Sequence, residues 1–278
     1  MPVRARVIAA VGAVAATALV FVAGVLLRGR KVRRFEYYAQ SMSESDFAAL
    51  GAHDGWQTRV VEVAPSVRVR GLVHAPTGAG APWVLFFPGN SERLLQEAQQ
   101  FLDRLRSGRD LGVVVYAYRG FDGSSGTPGK EAILRDASTL YDRLRTLEPI
   151  GSAKLHVIGF SLGSAVAASV TAKAKAKGPG APASVTFLAP LSEIDVAGSS
   201  LFSRVIPDRY ETLSFLDDVG APALVIAAGA DDALGVEPAH VVCDRLGARA
   251  NYLELPGVAH LGVLRDARTI EAIGALID

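Results

Sequence analysis

From Thr58 to the C-terminus, short β-branched and aromatic runs alternate with amphipathic stretches, and this alternation narrows the fold more than any other feature of the chain. "TRVVEVA" and "VRVRGLVHAP", separated by "PS", read as an opening antiparallel pair. "WVLFFPGN" reads as a short, fully buried strand ending at Gly89. In "SERLLQEAQQFLDRLRS", Leu94, Leu95, Ala98, Phe101, Leu102 and Leu105 recur at helical spacing. "GVVVYAY" is then a strand, "GKEAILRDASTLYDRLRTL" a helix, and "KLHVIGF" a strand running into the helix "SLGSAVAASVTAKAKA". "SVTFLAP", "PALVIAAG" and "ANYLELP" supply three more strands, and "DARTIEAIGALID" a last helix. Such alternation implies an α/β architecture with a mostly parallel sheet covered on both faces. In sheets of this kind, ligands bind beyond the carboxyl ends of the strands.

At 278 residues, half of them apolar, the chain can bury a sizeable core. Its net charge of +1 provides no global field to draw nucleic acid. A single cysteine, Cys243, rules out an internal disulfide or a cysteine-rich metal site. No glycine-rich phosphate loop with a lysine occurs, and no cofactor is expected.

Residues 7–27, "VIAAVGAVAATALVFVAGVLL", carry no charge and match the ~30 Å hydrocarbon thickness as a helix. A cleaved signal peptide is the rival reading. Its apolar region should be about 7–15 residues, ahead of a small-residue cleavage site; here the run is longer and stops at "LLRGRKVRR". The expected organisation is a single-pass anchor over 1–34, a polar linker over 35–57 and a globular α/β domain over 58–278. Arg4 and Arg6 precede the run, whereas Arg28, Arg30, Lys31, Arg33 and Arg34 follow it. By the positive-inside rule this balance leans toward a cytoplasmic C-terminal domain.

"GFSLG", from Gly159 to Gly163, places Ser161 in a G-x-S-x-G turn between strand and helix. A sharp turn there lifts Oγ above the sheet with a helix N-terminus behind it, as a nucleophile requires. The competing reading is a helix N-cap serine in a glycine-rich turn. A nucleophile of this type needs an acid and a histidine later in the chain, in that order. Of five histidines, His53 lies in the linker, His74 and His156 in strands, and His240 on a helix. His260, in "LELPGVAHLGV", follows the last strand on a glycine-containing loop and is the candidate base. Asp231 and Asp232, in "ALVIAAGADDALG", both stand just past the preceding strand. An oxyanion hole needs two N–H donors. Leu162 supplies one, and the "FFPGNSE" turn the other, at Asn90 or its neighbours, because Pro88 has no N–H.

These motifs together resemble the α/β-hydrolase superfamily. "VLFFPGNSE" is similar to the strand-plus-"HGN" turn of a membrane-anchored branch containing acyl-protein thioesterases, lipid hydrolases and bacterial inner-membrane proteins. "VVVYAYRGFDGSSGTPGKEAILRDA" resembles that branch's "YRGYGxSxGxP" stretch, and "RYETLSFLDDVGAPALVIAAGADD" its connector before the acid strand. The resemblance implies ester or thioester hydrolysis through an acyl-enzyme, with a Ser–His–Asp triad. The branch's count, three residues past the glycine closing the strand, selects Asp232 over Asp231. Pro88 replaces the branch's histidine, which alters the entrance lining, and Asp122-Gly123 departs from its "GYG" turn, which is expected to soften the acyl-binding mouth. Arg119 is read as fixing its loop more than as touching substrate. The span of about twenty-five residues before the acid strand is too short for a large lid, so an open site suited to lipid or acyl-protein esters is expected. A non-catalytic binding protein and a serine aminopeptidase-like amide hydrolase are the alternatives on the same scaffold.

Overall fold

A computed structural model of the chain describes residues 34–176, 180–197 and 208–278. The main sheet has eight strands in the order β11-β10-β7-β6-β4-β5-β3-β2. In chain order these are β2 (Gln57–Ala64), β3 (Val67–His74), β4 (Trp83–Phe87), β5 (Gly112–Tyr116), β6 (Leu155–Phe160), β7 (Ser184–Leu188), β10 (Ala223–Ala228) and β11 (Ala250–Leu255). β2 pairs antiparallel with β3, and β3 antiparallel with β5. Every pairing from β5 across to β11 is parallel. Strands β4, β5, β6, β7 and β10 are buried along their whole length, which explains why they read as continuous apolar runs without alternation.

Helices α2 (Leu94–Arg106) and α7 (Ala267–Ile277) pack together, while α3 (Lys130–Leu144) and α4 (Leu162–Ala176) form a second packed pair, with α4 lying on β6 and β7. α6 (Glu237–Leu246) lies against β10 and β11. α2 is amphipathic and buries Leu94, Leu95, Phe101, Leu102 and Leu105. α4 is apolar nearly all round from Leu162 to Val170, and its residues there are buried on every side, as a central helix requires.

Residues 35–57, expected to be a linker, are part of the folded unit, which runs from Arg34 to Asp278. They carry strand β1 (Arg34–Glu36), helix α1 (Glu44–Gly51) and the buried Phe47 and Trp56. Ser43 caps α1 by accepting from the Asp46 N–H. β1 adds in parallel to β8 (Glu193–Ala197), whose antiparallel partner is β9 (Asp208–Glu211), giving a separate three-stranded sheet. The Thr212 N–H donates to the Ser192 carbonyl at 2.9 Å and closes this excursion at its base. A short helix, α5 (Leu213–Leu216), leads back to the main sheet. Among the described residues no helix is long and apolar enough to cross a membrane. The expected anchor lies outside the described residues up to Arg33.

Candidate active site

Ser161 sits at φ +52°, in the left-handed region, between the last residue of β6 and the first of α4. For a residue with a Cβ this costs about 1–3 kcal/mol, and the surrounding packing holds it there. A Cβ on Gly163 would stand 2.0 Å from the Phe87 carbonyl oxygen, and one on Gly159 would stand 2.3 Å from the Gly163 carbonyl. The two glycines are therefore demanded by backbone contact, which lets α4 start against the ends of β4 and β6. The Ser161 N–H still donates to the Leu188 carbonyl at 3.0 Å, so the elbow is anchored to β7. Buried Ser164 adds a second tie: its hydroxyl donates to the Ser161 carbonyl at 2.5 Å and accepts from the Leu191 N–H at 3.2 Å.

His260 begins a 3₁₀ turn (His260–Leu264) after β11, and its ring lies 5.0 Å from that of Phe160, the residue before Ser161. Its Nδ1 is 2.6 Å from Asp231 Oδ2. An ionised carboxylate only accepts, so Nδ1 carries the proton and Nε2 is left as the acceptor. Asp231 Oδ1 is held by the N–H groups of Ala233, Leu234 and Gly235 at 3.0, 2.7 and 3.3 Å. Burial pushes the Asp231 carboxyl up, but the hydrogen bond from His260 and those from the following N–H groups outweigh it and hold the carboxyl below its ordinary value. The pair is enclosed, with side-chain exposures of 11% for His260 and 2% for Asp231.

Asp232, the acid selected by the branch's count, is not the partner of the imidazole. It is exposed, and its Oδ1 accepts the backbone N–H of His260 at 3.2 Å. The one-residue difference comes from the turn. Ala230 donates to the Val258 carbonyl, extending contact with the next loop, and Asp231 donates back to Ala228. That tight return aims the Asp231 carboxylate at the His260 loop and leaves Asp232 on the rim.

The turn Pro88-Gly89-Asn90 also lies near Ser161. A Cβ on Gly89 would be 3.0 Å from the Phe160 ring and 3.4 Å from Ser161 Cβ, so backbone there closely approaches the serine. Leu162 is buried at the first position of α4, where a helix has no internal acceptor for its N–H.

A family model described as "Alpha/beta hydrolase family" matches residues 72–217, more than half the chain. The chain belongs to the alpha/beta hydrolase family. An uncharacterized protein of Mycobacterium tuberculosis is 29% identical over 211 residues, covering 72% of this hydrolase and 71% of that protein. Among solved structures, an alpha-beta hydrolase from Vibrio vulnificus superposes with a TM-score of 0.69 at 16% identity, covering 86% of this chain and 88% of that one. An esterase from Pyrococcus furiosus gives 0.64 at 13% identity, covering 90% and 97%. At these identities the structures establish the fold of the hydrolase and nothing finer.

The rest of the hydrolase's polar interior is structural. Arg119 makes a two-pronged ion pair with Asp136 of α3, at 2.7 and 2.5 Å, and so fixes the loop after β5. Asp122, in the same loop, bonds the start of the preceding helix. Its Oδ2 accepts the Leu95 N–H at 2.6 Å and caps α2, whose own N-cap position, Arg93, makes no side-chain cap. Burial pushes the Asp122 carboxyl up to about 6 despite that N–H. Pro88 keeps a structural role in place of the branch's histidine: its carbonyl accepts the buried Tyr118 hydroxyl at 2.7 Å. Of the other histidines, buried His156 bonds Ser184 Oγ at 2.8 Å, and burial, with Lys154 nearby, pushes it down to about 4. His74 packs edge-on to Trp56, His53 lies by Asp103, and His240 lies between Glu237 and Glu254. Among the described residues, no group of three or more His, Cys, Asp or Glu side chains could hold a metal ion. Two contributors had no separate signal in the sequence: the Ser164 tie, and the contact of residues 36–38 with Asn90.

Proposed function

We propose that the chain is a membrane-tethered serine hydrolase that cleaves a carboxylic ester or thioester, of lipid or acyl-protein type, through an acyl-enzyme. The observation that carries this is the 2.6 Å contact of His260 Nδ1 with buried Asp231, set beside a serine held at positive φ between strand and helix. The carboxylate keeps the imidazole in the tautomer whose Nε2 can accept a proton, and it stabilises the imidazolium once formed. Ser161 Oγ attacks the acyl carbon as its proton passes to Nε2. The backbone N–H groups of Leu162 and of the turn at Asn90 take the charge developing on the carbonyl oxygen. Collapse expels the alcohol or thiol, which receives the proton from His260. A water molecule, activated by the same nitrogen, then releases the acid and restores Ser161. No step draws on a cofactor.

Tethering is supported by the uncharged run at 7–27 and its basic flank, whose charge balance favours a cytoplasmic catalytic domain. The ester class rests on the motif resemblance described above, and the fold is one that an esterase of Pyrococcus furiosus shares. A fluorophosphonate probe tests the chemistry. It should label the wild type and not Ser161→Ala, and a folded, unlabelled wild type would mean a binding protein in place of an enzyme. A panel of acyl esters, acyl thioesters and aminoacyl amides then separates esterase or thioesterase from peptidase. Retention in membranes after a carbonate wash tests the tether.

A further inference from the structure

We propose that residues Glu36–Tyr38 and the side chain of Asn90 form a positioning device for the oxyanion turn, a role that rests on the serine-hydrolase reading above. The Asn90 side-chain amide bonds the backbone of that segment as a neighbouring strand would. Its Nδ2 donates to the Glu36 carbonyl at 2.7 Å, and its Oδ1 accepts the Tyr38 N–H at 2.9 Å. Between these contacts, Tyr37 is anchored to the small sheet. Its hydroxyl donates to Asp208 Oδ2 at 2.6 Å and lies 3.0 Å from the Tyr210 hydroxyl. Asp208 Oδ2 also accepts the Lys130 N–H at the start of α3, at 2.7 Å.

A second route joins the same segment to the other end of the turn. Tyr37 packs edge-on to Phe121 with ring centres 6.3 Å apart, and Phe121 packs edge-on to Tyr118 at 5.9 Å. Tyr118 in turn donates to the Pro88 carbonyl. The turn is thus held at Pro88 and at Asn90, with Gly89 between them close to Phe160 and Ser161. The N–H groups it offers to an oxyanion are fixed by residues more than fifty positions earlier, in the segment expected from sequence to be a polar linker. A backbone donor loses catalytic value when its direction wanders, because only a preorganised dipole spares the transition state a reorganisation cost. Loosening the turn should therefore slow the chemical step and leave ground-state binding nearly unchanged.

The test uses the full chain with a p-nitrophenyl ester. Asn90→Ala removes both side-chain bonds, and Tyr38→Pro removes the N–H that Asn90 Oδ1 accepts. Each should lower kcat by about 10- to 100-fold with KM within about threefold, below the ~10²–10³ loss of a whole oxyanion donor. The double variant should lose little more than the worse single, since both changes act on the same contact. If Asn90→Ala does not fold, Tyr38→Pro alone carries the test by its kcat and KM. A kcat within twofold of wild type, or a loss confined to KM, overturns the proposal, as do losses that multiply in the double variant. Fluorophosphonate separates the two levels of the argument. Equal labelling rates for wild type and Asn90→Ala overturn the positioning role alone, whereas an unlabelled wild type overturns the hydrolase reading beneath it.

Discussion

Asp231→Asn is the substitution whose outcome is most tightly determined by the geometry. Oδ1 of Asp231 sits in a nest of three backbone N–H groups, and Oδ2 faces His260 Nδ1. An asparagine there has one oxygen and one NH₂, and only the oxygen can occupy the nest. The NH₂ must then point at Nδ1. Two donors cannot share a hydrogen bond, so the imidazole shifts its proton to Nε2, the nitrogen that should accept from Ser161. The same tautomer fault in a serine protease costs about 10⁴ in turnover, or roughly 5.5 kcal/mol of transition-state stabilisation. The variant should still fold, because all three nest bonds survive, although it forfeits the favourable interactions that hold the Asp231 carboxyl below its ordinary value. Asp232→Asn keeps an oxygen for the His260 N–H and should stay within about threefold of wild type, the range of an ordinary surface change. The assay is kcat/KM on a p-nitrophenyl ester for both variants, alongside thermal melting to establish equal folding. A deeper loss in Asp232→Asn, or more than a tenth of wild-type activity in Asp231→Asn, would refute the assignment of the acid.

Asp122→Asn should stabilise the protein in a pH-dependent way. The folded carboxyl is raised from 3.8 to about 6 by burial, so its ionisation opposes folding, and the penalty grows as pH rises from ~4 through ~6. An asparagine still accepts the Leu95 N–H, so urea denaturation should show a gain of up to about 3 kcal/mol at pH 8 and almost none below pH 4; an equal gain at both would refute the cause. Arg119→Ala leaves Asp136 buried without its partner, the side chains of the pair being only 13% and 7% exposed. It should cost about 3–5 kcal/mol, and Asp136→Ala in the same chain should recover part of that; strictly additive losses in the cycle would show that the pair contributes nothing. Gly163→Ala sets a methyl 2.0 Å from the Phe87 carbonyl and should destabilise by more than about 4 kcal/mol, so a melting temperature equal to wild type would contradict the described elbow.

What could be read from the sequence alone was whatever is encoded locally. The central strands are buried on both faces, so each is an unbroken apolar run between turn residues, and their alternation with helices implies the parallel sheet. The turn at Ser161 is equally local, because its glycines and serine meet within five residues, and the backbone contacts that require glycine lie at the strand ends beside it. His260 could be picked out because its position after the last strand follows from the order of elements. The acid could not be settled this way. Asp231 and Asp232 are identical in type and adjacent, and the choice depends on whether the turn after β10 closes at Asp231, which it does by bonding Ala228. One residue of register reverses a side chain's direction, and no composition or period encodes it. The order of residues 35–57 is not legible in the sequence for a related reason. Their partners, Asn90, Asp195–Ala197 and Asp208, lie from about fifty to more than a hundred and fifty positions away. A three-residue strand with no periodicity of its own shows order only when those distant partners are in place. The chain's local chemistry therefore specifies the sheet, the serine and the histidine, while contacts made across the assembled fold decide which carboxylate bonds the histidine and what holds the turn at Asn90.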